Sequence, residues 1–400
     1  MIQYFRKIFL LLIPAAILLT ACDSNDSPTP APDAPAPRTV LVYMIANNNL
    51  GYSSSHYDLN DISEMLEAAA AGALGNSRLI VFRHAYTNAN PQLIEITDKG
   101  QKVLKEYTPT PSSASEEVMN QVIADTKKYA PATRYGIILW SHASGWLNTG
   151  IDTPEAAPLS FGYDGKESST MSITSLANVL DGKGFDFIYF DCCFMASVEV
   201  AYELRNAAIW MVGSAAELPA NGTPYHLVLP YLMPENADCA GAAGVTMDYY
   251  AGQYDPWADV HSNPDAFGAT FSAIYLPSME QLAHAVKAVY NRQYPVTDRL
   301  LVQQFGPQTN RNDFVDLKDF IEHMEGITEA EKEAVEQALE SAVPYNGATE
   351  GIHMSNSFTV NHHCGLTTFM PTSAASFSRK NYNLLEWYRD AASFLYDINQ

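Results

Sequence analysis

Apolar residues fall in two rhythms along this chain. Short unbroken runs alternate with stretches in which apolar positions recur every three or four residues. Thr39-Val-Leu-Val-Tyr-Met44, Leu79 to Phe82, Tyr135-Gly-Ile-Ile-Leu-Trp140, Phe185 to Phe190 and Ile209 to Gly213 have strand length and the continuity expected of strands covered on both faces. Leu93 to Ile96 reads as an antiparallel addition. Between these runs, Leu59, Ile62, Met65, Leu66 and Ala69 fall at helical spacing. Ser113 with Glu116 reads as a capping box opening a helix with Val118, Val122 and Ile123 on one face. Ser172 to Leu180 and Met195 to Leu204 predict two more helices. Such alternation predicts an α/β fold, a mostly parallel sheet flanked by helices. Beyond about residue 240 the pattern turns mainly helical, with helices expected over 282–290, 315–324, 328–342 and 381–398. Two late strands are expected at Phe358 to Val360 and Leu366 to Met370.

The N-terminal end has a different character. Arg6 and Lys7 precede an apolar run from Ile8 to Leu19, too short to span a bilayer but suited to a signal-peptide core. It ends in Leu19-Thr20-Ala21-Cys22, which resembles the lipobox of bacterial lipoproteins. That resemblance implies cleavage before Cys22, lipidation there, and anchoring in the cell envelope, at the outer membrane or cell surface. Several acyl chains anchor firmly where one is marginal. Asp23 to Pro37, built of Ser, Asp, Pro and Ala, has almost nothing to bury and reads as an extended tether. The expected organisation is thus a signal peptide over 1–21, a tether over 22–38, a catalytic core over 39–240, and a C-terminal extension over 241–400 that completes the fold.

Charge narrows the partners. The formal net charge is -22, and removing residues 1–21 takes away two positive charges and no negative ones. So acidic a chain argues against nucleic acid and suits solubility or attraction of basic peptides. Cysteine is scarce: beyond Cys22 there are Cys192, Cys193, Cys239 and Cys364, with no zinc-ligand spacing. His362-His363-Cys364 does not read as a metal site, because adjacent strand residues face opposite ways. An exported chain long enough to bury a large core needs no disulfides. A free thiol there asks for a chemical reason, and nucleophilic attack is one.

Two strand ends carry chemistry. One buried run leads into Ser141-His142-Ala143-Ser144-Gly145-Trp146, the other into Asp191-Cys192-Cys193-Phe194-Met195. Reactive groups collect beyond the carboxyl ends of strands in open parallel sheets. A thiol is mostly protonated at neutral pH and needs a base beside it. The start of the expected helix at Met195 would further favour a thiolate at Cys193. There is no Gly-x-Ser-x-Gly elbow, no His-Glu-x-x-His helix and no phosphate-cradling Gly-rich loop.

Four segments together resemble the clostripain family, relatives of the caspase and gingipain fold. They are the first strand, the Asn47-Asn48-Asn49-Leu50 loop, Leu139-Trp-Ser-His142, and the run from Asp191 to Leu204. Weaker similarity continues through Asp313 to Phe320 and Gly365 to Pro371. The resemblance implies a cysteine endopeptidase cleaving after Arg or Lys through an acyl-enzyme, with His142 as general acid/base and Cys193 as nucleophile. It places oxyanion donors at the backbone N–H groups of Ala143 and Cys193. It also places substrate-binding acids at Asp191 and, less directly, Glu217. Asp191 can equally be read as a cap for the following helix, and Glu217 as a plain loop acid. No cofactor is implied, and calcium only by resemblance, since acids of the first loop are Asn47 and Asn49 here. Glycines usual after the histidine are replaced by Ala143 and Ser144, which motivates an alternative: a surface binding lipoprotein that keeps the peptidase fold without turnover. Residues 143–165 contain no Lys or Arg, leaving Lys166 and Lys183 as the nearest sites for a maturation cut.

Overall fold

A computed structural model describes residues 35–52, 54, 56–86, 90–108, 112–147, 161–165, 169–259, 262–290, 301–306, 314–353, 357–370 and 382–393. Each unbroken apolar run became a strand of one sheet: β1 (Ala36–Ala46), β2 (Arg78–Ala85), β5 (Ala132–Trp140), β8 (Phe185–Asp191) and β9 (Trp210–Gly213). Two polar-edged strands, β3 (Gln92–Thr97) and β4 (Gly100–Glu106), form an antiparallel hairpin beside β2. On the opposite edge, β10 (Thr270–Tyr275) and β12 (Tyr345–Ala348) pair antiparallel. The order is β12-β10-β9-β8-β5-β1-β2-β3-β4, and the five strands from β9 to β2 run parallel.

Both faces of these strands are buried, which is why their sequences are unbroken rather than alternating. Leu41, Tyr43 and Ile45 of β1 face one core, with α3 (Glu116–Tyr129), α4 (Ile173–Leu180), α5 (Val198–Glu203) and α8 (Met279–Tyr290). Val40, Val42, Met44 and Ala46 face the other, against α2 (Tyr57–Ala70), α6 (Tyr225–Leu232) and α7 (Cys239–Gln253). At about 1.5–3 kcal/mol for each buried aliphatic or aromatic side chain, these two layers outweigh the weak strand preference of Gly136. Gly136 is kept for space: a Cβ there would lie 2.1 Å from the Phe187 ring.

Several expectations shift. β1 begins at Ala36, so the sheet takes up residues assigned to the tether. Arg38 is buried, donating to Pro234 O (2.8 Å), Glu235 O (2.6 Å) and Asp186 (2.8 Å). The cap of α3 is Ser115, whose side chain accepts from Val118 N; Ser113 is buried two residues earlier. The helix after Cys193 begins only at Val198 behind the cap Ser197, so its positive end is not at the thiol. The stretch from 315 opens as a strand, β11 (Phe314–Asp316), before α9 (Leu317–Glu322). Thr328 does cap α10 (Glu329–Ala342) through a capping box with Glu331. β11 pairs with β15 (Thr367–Phe369), and Gly351–Ile352 (β13) with Phe358–Thr359 (β14). Strand signals were missed at β6 (Phe161–Asp164) and β7 (Ser169–Met171), a small hairpin, and at β10 and β12. Of the expected terminal helix, residues 382–393 are described and hold one π-helical turn, Tyr388–Ala392. Cys22, the signal run, residues 23–34 and Lys166 lie outside the described residues.

Candidate active site

The sheet reverses direction of growth between β1 and β5, since β2 lies on one side of β1 and β5 on the other. Such a switch opens a crevice beyond the carboxyl ends of the strands. Three segments enter it: the asparagine run after β1, His142 after β5, and Cys193 after β8. β5 and β8 pair in parallel with Trp140 opposite Asp191. His142 and Cys193 each stand two residues beyond that pair, just past the carboxyl ends of neighbouring strands.

The turn at Cys193 is tightly specified. Phe194 has φ of 61°, in the left-handed region that side chains seldom adopt. Its N–H donates to Ala216 O (3.0 Å), and its buried ring stacks on Phe314 with centroids 5.6 Å apart. Ala196 N–H then donates to Ser214 O (2.8 Å). These contacts hold a backbone conformation that costs about 1–3 kcal/mol, and they leave the Cys193 side chain half-buried. Leu218 N–H approaches its Sγ at 3.4 Å. Cys192 takes the other direction: it is buried, and its Sγ donates to Leu139 O at 3.0 Å. Burial pushes the Cys192 thiol well above its ordinary pKa. The four described cysteines are all free thiols.

Each residue of the asparagine run binds a different element. Asn47 donates to Asp164 Oδ1 of β6 (2.7 Å). Asn48 is buried and donates to Ile45 O (2.9 Å), Tyr163 O (2.8 Å) and Ser141 Oγ (3.3 Å), tying β1 to the residue before His142. Asn49, first residue of the short helix α1 (Asn49–Tyr52), places its Oδ1 2.6 Å from His142 Nε2. On the other flank of the histidine, Gly162 N–H donates to His142 O (2.9 Å) in the bridge that joins Ala143 to Phe161. That bond does not use the Ala143 N–H. Among the described residues between β5 and β6, Gly145 has a positive φ, 65°, and a Cβ there would lie 2.8 Å from Phe194 O. Ala143 and Ser144 are not among the positive-φ residues, so the backbone does not demand glycine at either.

Asp191 is buried and does not cap a helix. Its Oδ1 accepts from Thr223 N (3.0 Å) and its Oδ2 from Tyr225 OH (3.0 Å). Burial pushes its pKa up to about 6 against the opposing pull of those bonds. Asp61 of α2 is buried too, accepting from Trp140 Nε1 at 2.5 Å. Burial, reinforced by the Asp191 charge, raises Asp61 well above the carboxylate range. A cavity of about 260 Å³ opens here, lined by Asn60, Asp61, Glu64, Asn221, Gly222 and Tyr249 among others. Gly222 (φ 64°) forms the partition between cavity and Asp191: a Cβ there would sit 2.6 Å from Asp191 Oδ1. Burial also raises Glu64, which accepts from Tyr225 N at 2.7 Å. Glu217 does not line this cavity; it is half-buried and precedes the Leu218 amide that faces Cys193.

Asn49, Asp61 and Glu64 were not singled out from sequence. A signal existed for Asp61. Asp58, Asp61, Ile62, Met65, Ala68 and Ala69 are the buried residues of α2, whereas Leu59 is 45% exposed. Acids in step with an apolar stripe need partners: Asp58 finds Arg83 (2.6 Å) and Asp61 finds Trp140. A larger cavity, about 460 Å³, is lined by none of His142, Cys193, Asp191, Asp61 and Glu217; His362, His363 and Cys364 lie on it. Among the described residues no three His, Cys, Asp or Glu side chains are grouped to hold a metal ion, and no helix is long and apolar enough to cross a membrane.

A thiol and an imidazole at the carboxyl ends of adjacent parallel strands define a caspase-like α/β protein with the groups a cysteine peptidase needs. Known proteins agree. The chain belongs to the clostripain family, whose model matches residues 42–397. It is a cysteine peptidase. An inactive zymogen C11 protease from Parabacteroides distasonis is 28% identical, with a TM-score of 0.75 over 90% of this chain and 99% of that one. A secreted C11 cysteine protease from Bacteroides thetaiotaomicron, solved with an irreversible peptide inhibitor, is also 28% identical, with a TM-score of 0.77 over 88% and 97%. A further secreted C11 protease from that organism, at 24% identity and a TM-score of 0.75, shares the fold. No curated protein matches the chain.

Proposed function

We propose that this peptidase is an endopeptidase cleaving after Arg or Lys, with His142 and Cys193 as its dyad. The observation that supports the reading is the β5–β8 register, which pairs Trp140 with Asp191 two residues before His142 and Cys193. The thiol gives its proton to the imidazole, and Sγ attacks the scissile carbonyl carbon. The imidazolium then protonates the leaving amine, producing an acyl-enzyme and a free amino terminus. Water, deprotonated by His142, hydrolyses the thioester and restores the thiol. Ala143 and Cys193 N–H groups would hold the oxyanion, each donor typically worth ~3 kcal/mol of barrier. No cofactor takes part in this scheme.

The cavity beside Asp191 supports the basic specificity. Asp61 and Glu64 on its wall, with Asp191 behind Gly222, make a concave acidic pocket suited to an ammonium or guanidinium group. Glu217, beside the Leu218 amide, would face substrate nearer the nucleophile. The reading without turnover loses its motive, because residues 143 and 144 adopt backbone angles open to any side chain. The test is a panel of peptides with Arg, Lys or neutral residues before the scissile bond, assayed on the chain from residue 23 under reducing conditions, with and without calcium. Rapid cleavage after Arg or Lys is expected. Cleavage after neutral residues only would refute the specificity, and survival of turnover in Cys193→Ala would refute the dyad.

Export and anchoring through Cys22 complete the proposal, placing the peptidase on the bacterial envelope where peptides arrive from outside. Labelled palmitate should enter the wild-type chain in cells and not Cys22→Ser; equal labelling would exclude this anchor.

A further inference from the structure

We propose that Asn49 is the positioning residue of the dyad, fixing the tautomer of His142 and stabilising its charged form; the proposal rests on the His142–Cys193 reading. A neutral imidazole has one N–H and one lone pair, and the partner of one nitrogen decides the role of the other. Asn49 Oδ1 lies 2.6 Å from Nε2, and an amide oxygen can only accept. Nε2 therefore carries the hydrogen, and Nδ1 is the basic nitrogen left to take the thiol proton. When that proton moves from Sγ to Nδ1, the ring becomes cationic. The Nε2–H···O=C bond then becomes charge-assisted, and such bonds are about twice as strong as neutral ones.

The surroundings make this contact more than a chance surface bond. Asn49 is the third asparagine of a run whose other two members anchor it. Asn48 holds Ile45 O, Tyr163 O and Ser141 Oγ, and its own Oδ1 accepts from Leu50 N at 2.9 Å. Asn47 holds Asp164, which is in turn fixed by Ser113 N (2.8 Å) and lies 3.3 Å from His84. The backbone on both sides of Asn49 is thus clamped to the segments before and after His142. Gly162 pins the His142 carbonyl from the far side. Backbone anchors restrict the histidine's main chain, and the Asn49 bond restricts its ring. Asn49 itself is exposed, so replacing it removes no core contact.

Asn49→Ala, Asn49→Asp, His142→Ala and Cys193→Ala are compared with wild type for turnover, for the pH profile of kcat/KM, and for the rate of iodoacetamide reaction at Cys193. Asn49→Ala should lower kcat about ten- to a hundredfold with KM within about threefold, and move the alkaline limb of the profile to lower pH, because the imidazolium loses its acceptor. Asn49→Asp should restore part of kcat and move that limb upward by about one unit, an opposite charge now facing Nε2. Other titratable or charged groups on the elements meeting here include Tyr52 on α1, Tyr163 and Asp164 on β6, Arg83 and His84 on β2, Tyr189 and Asp191 on β8, and Glu217 beside Leu218. All remain in every variant, so the difference between variants reports the Asn49 contact. Unchanged kcat in Asn49→Ala, or loss in both Asn49 variants with no movement of the alkaline limb, would overturn the positioning role while silent His142→Ala and Cys193→Ala variants uphold the dyad. Turnover surviving in either of those two would overturn the dyad and the proposal with it.

Discussion

The most exposed consequence of the acidic pocket is a pH dependence of binding separable from that of the chemistry. Asp191 is 6% exposed, and burial raises its pKa from 3.8 to about 6. Burial, and then the Asp191 charge, raise Asp61 as well, and on the proposed reading Asp191 supplies the anion. A cationic side chain needs that anion. With a pKa of about 6, roughly a tenth of Asp191 is ionised at pH 5 and nearly all at pH 7.5. A small alkylguanidine, which competes for the pocket without touching the thiol, should therefore bind about tenfold more weakly at pH 5 than at pH 7.5. Asp191→Asn should flatten this dependence and weaken binding at neutral pH. The same group predicts a stability effect of known sign. Its folded pKa is raised, so its stabilising contribution is complete below pH 3.8 and is lost as pH rises through about 6. The shift of about two units corresponds to at most ~3 kcal/mol. Asp191→Asn, with its amide oxygen still able to accept from Thr223 N, should gain in urea midpoint over wild type at pH 8 and not at pH 4. The assay is inhibition constants and urea melts across pH 4–8. A wild-type inhibition constant that is flat across pH 5–7.5, or a slope that persists in Asp191→Asn, would refute the assignment of the charge to Asp191.

Three further outcomes follow from other contacts. Cys193→Ala should lose at least about a thousandfold in kcat, whereas Cys192→Ala should keep turnover and cost about 1–2 kcal/mol, since its buried thiol donates only to Leu139 O; peptide mapping after brief alkylation should find label at residue 193 and not at 192. Gly222→Ala should cost about 1–2 kcal/mol for its left-handed backbone alone. The new Cβ would also displace the Asp191 carboxylate, so kcat/KM for basic substrates should fall more than for neutral ones, and an equal fall would exclude the partition role. Glu199, fully buried on α5, accepts from Phe369 N (2.8 Å), Thr368 Oγ1 (3.1 Å) and Tyr382 OH (3.1 Å), and burial raises its pKa from 4.5 to about 7. Its contribution is complete below pH 4.5 and is lost as pH rises through 7, so Glu199→Gln should be more stable than wild type by up to ~3 kcal/mol at pH 8.5 and not at pH 4; equal urea midpoints at pH 8.5 would contradict it.

What could be read from sequence and what could not divides along a physical line. Strands covered on both faces announce themselves by unbroken apolar runs, so the parallel core and the strand ends bearing His142 and Cys193 were legible. β10 was missed although Thr270 to Tyr275 is buried, because Thr270 and Ser272 interrupt its apolar run. The Thr270 hydroxyl is not an error in a core strand: it binds Ser214 Oγ (2.8 Å) and Ala215 N (2.9 Å), holding the segment that pairs with the turn after Cys193. β4 was missed for the opposite reason, since an edge strand with exposed Lys102 has one face in water. The start of α3 shifts by two residues, from Ser113 to Ser115, because a cap is decided by which hydroxyl reaches a free N–H.

The pocket acids were illegible for a deeper reason. The proposed dyad is a property of the sheet: two strands, one register, two residues beyond each end. The pocket is a property of a helix docked on that sheet. Asp61 is brought towards Asp191 only because Ile62, Met65, Ala68 and Ala69 bury the same face of α2 against β1 and its neighbours. Nothing in the spacing between residues 61 and 191 encodes their meeting. The same packing keeps both carboxyls dry, and burial is the main cause that raises the pKa of each. On the proposed reading, nucleophile and base are therefore specified by local sequence and pairing, while charge preference is specified by how tightly a helix packs. Substitutions that loosen α2 without touching an acid, such as Met65→Ala, should then wet the pocket, lower the Asp191 pKa and weaken the pH dependence of guanidine binding before they impair the dyad.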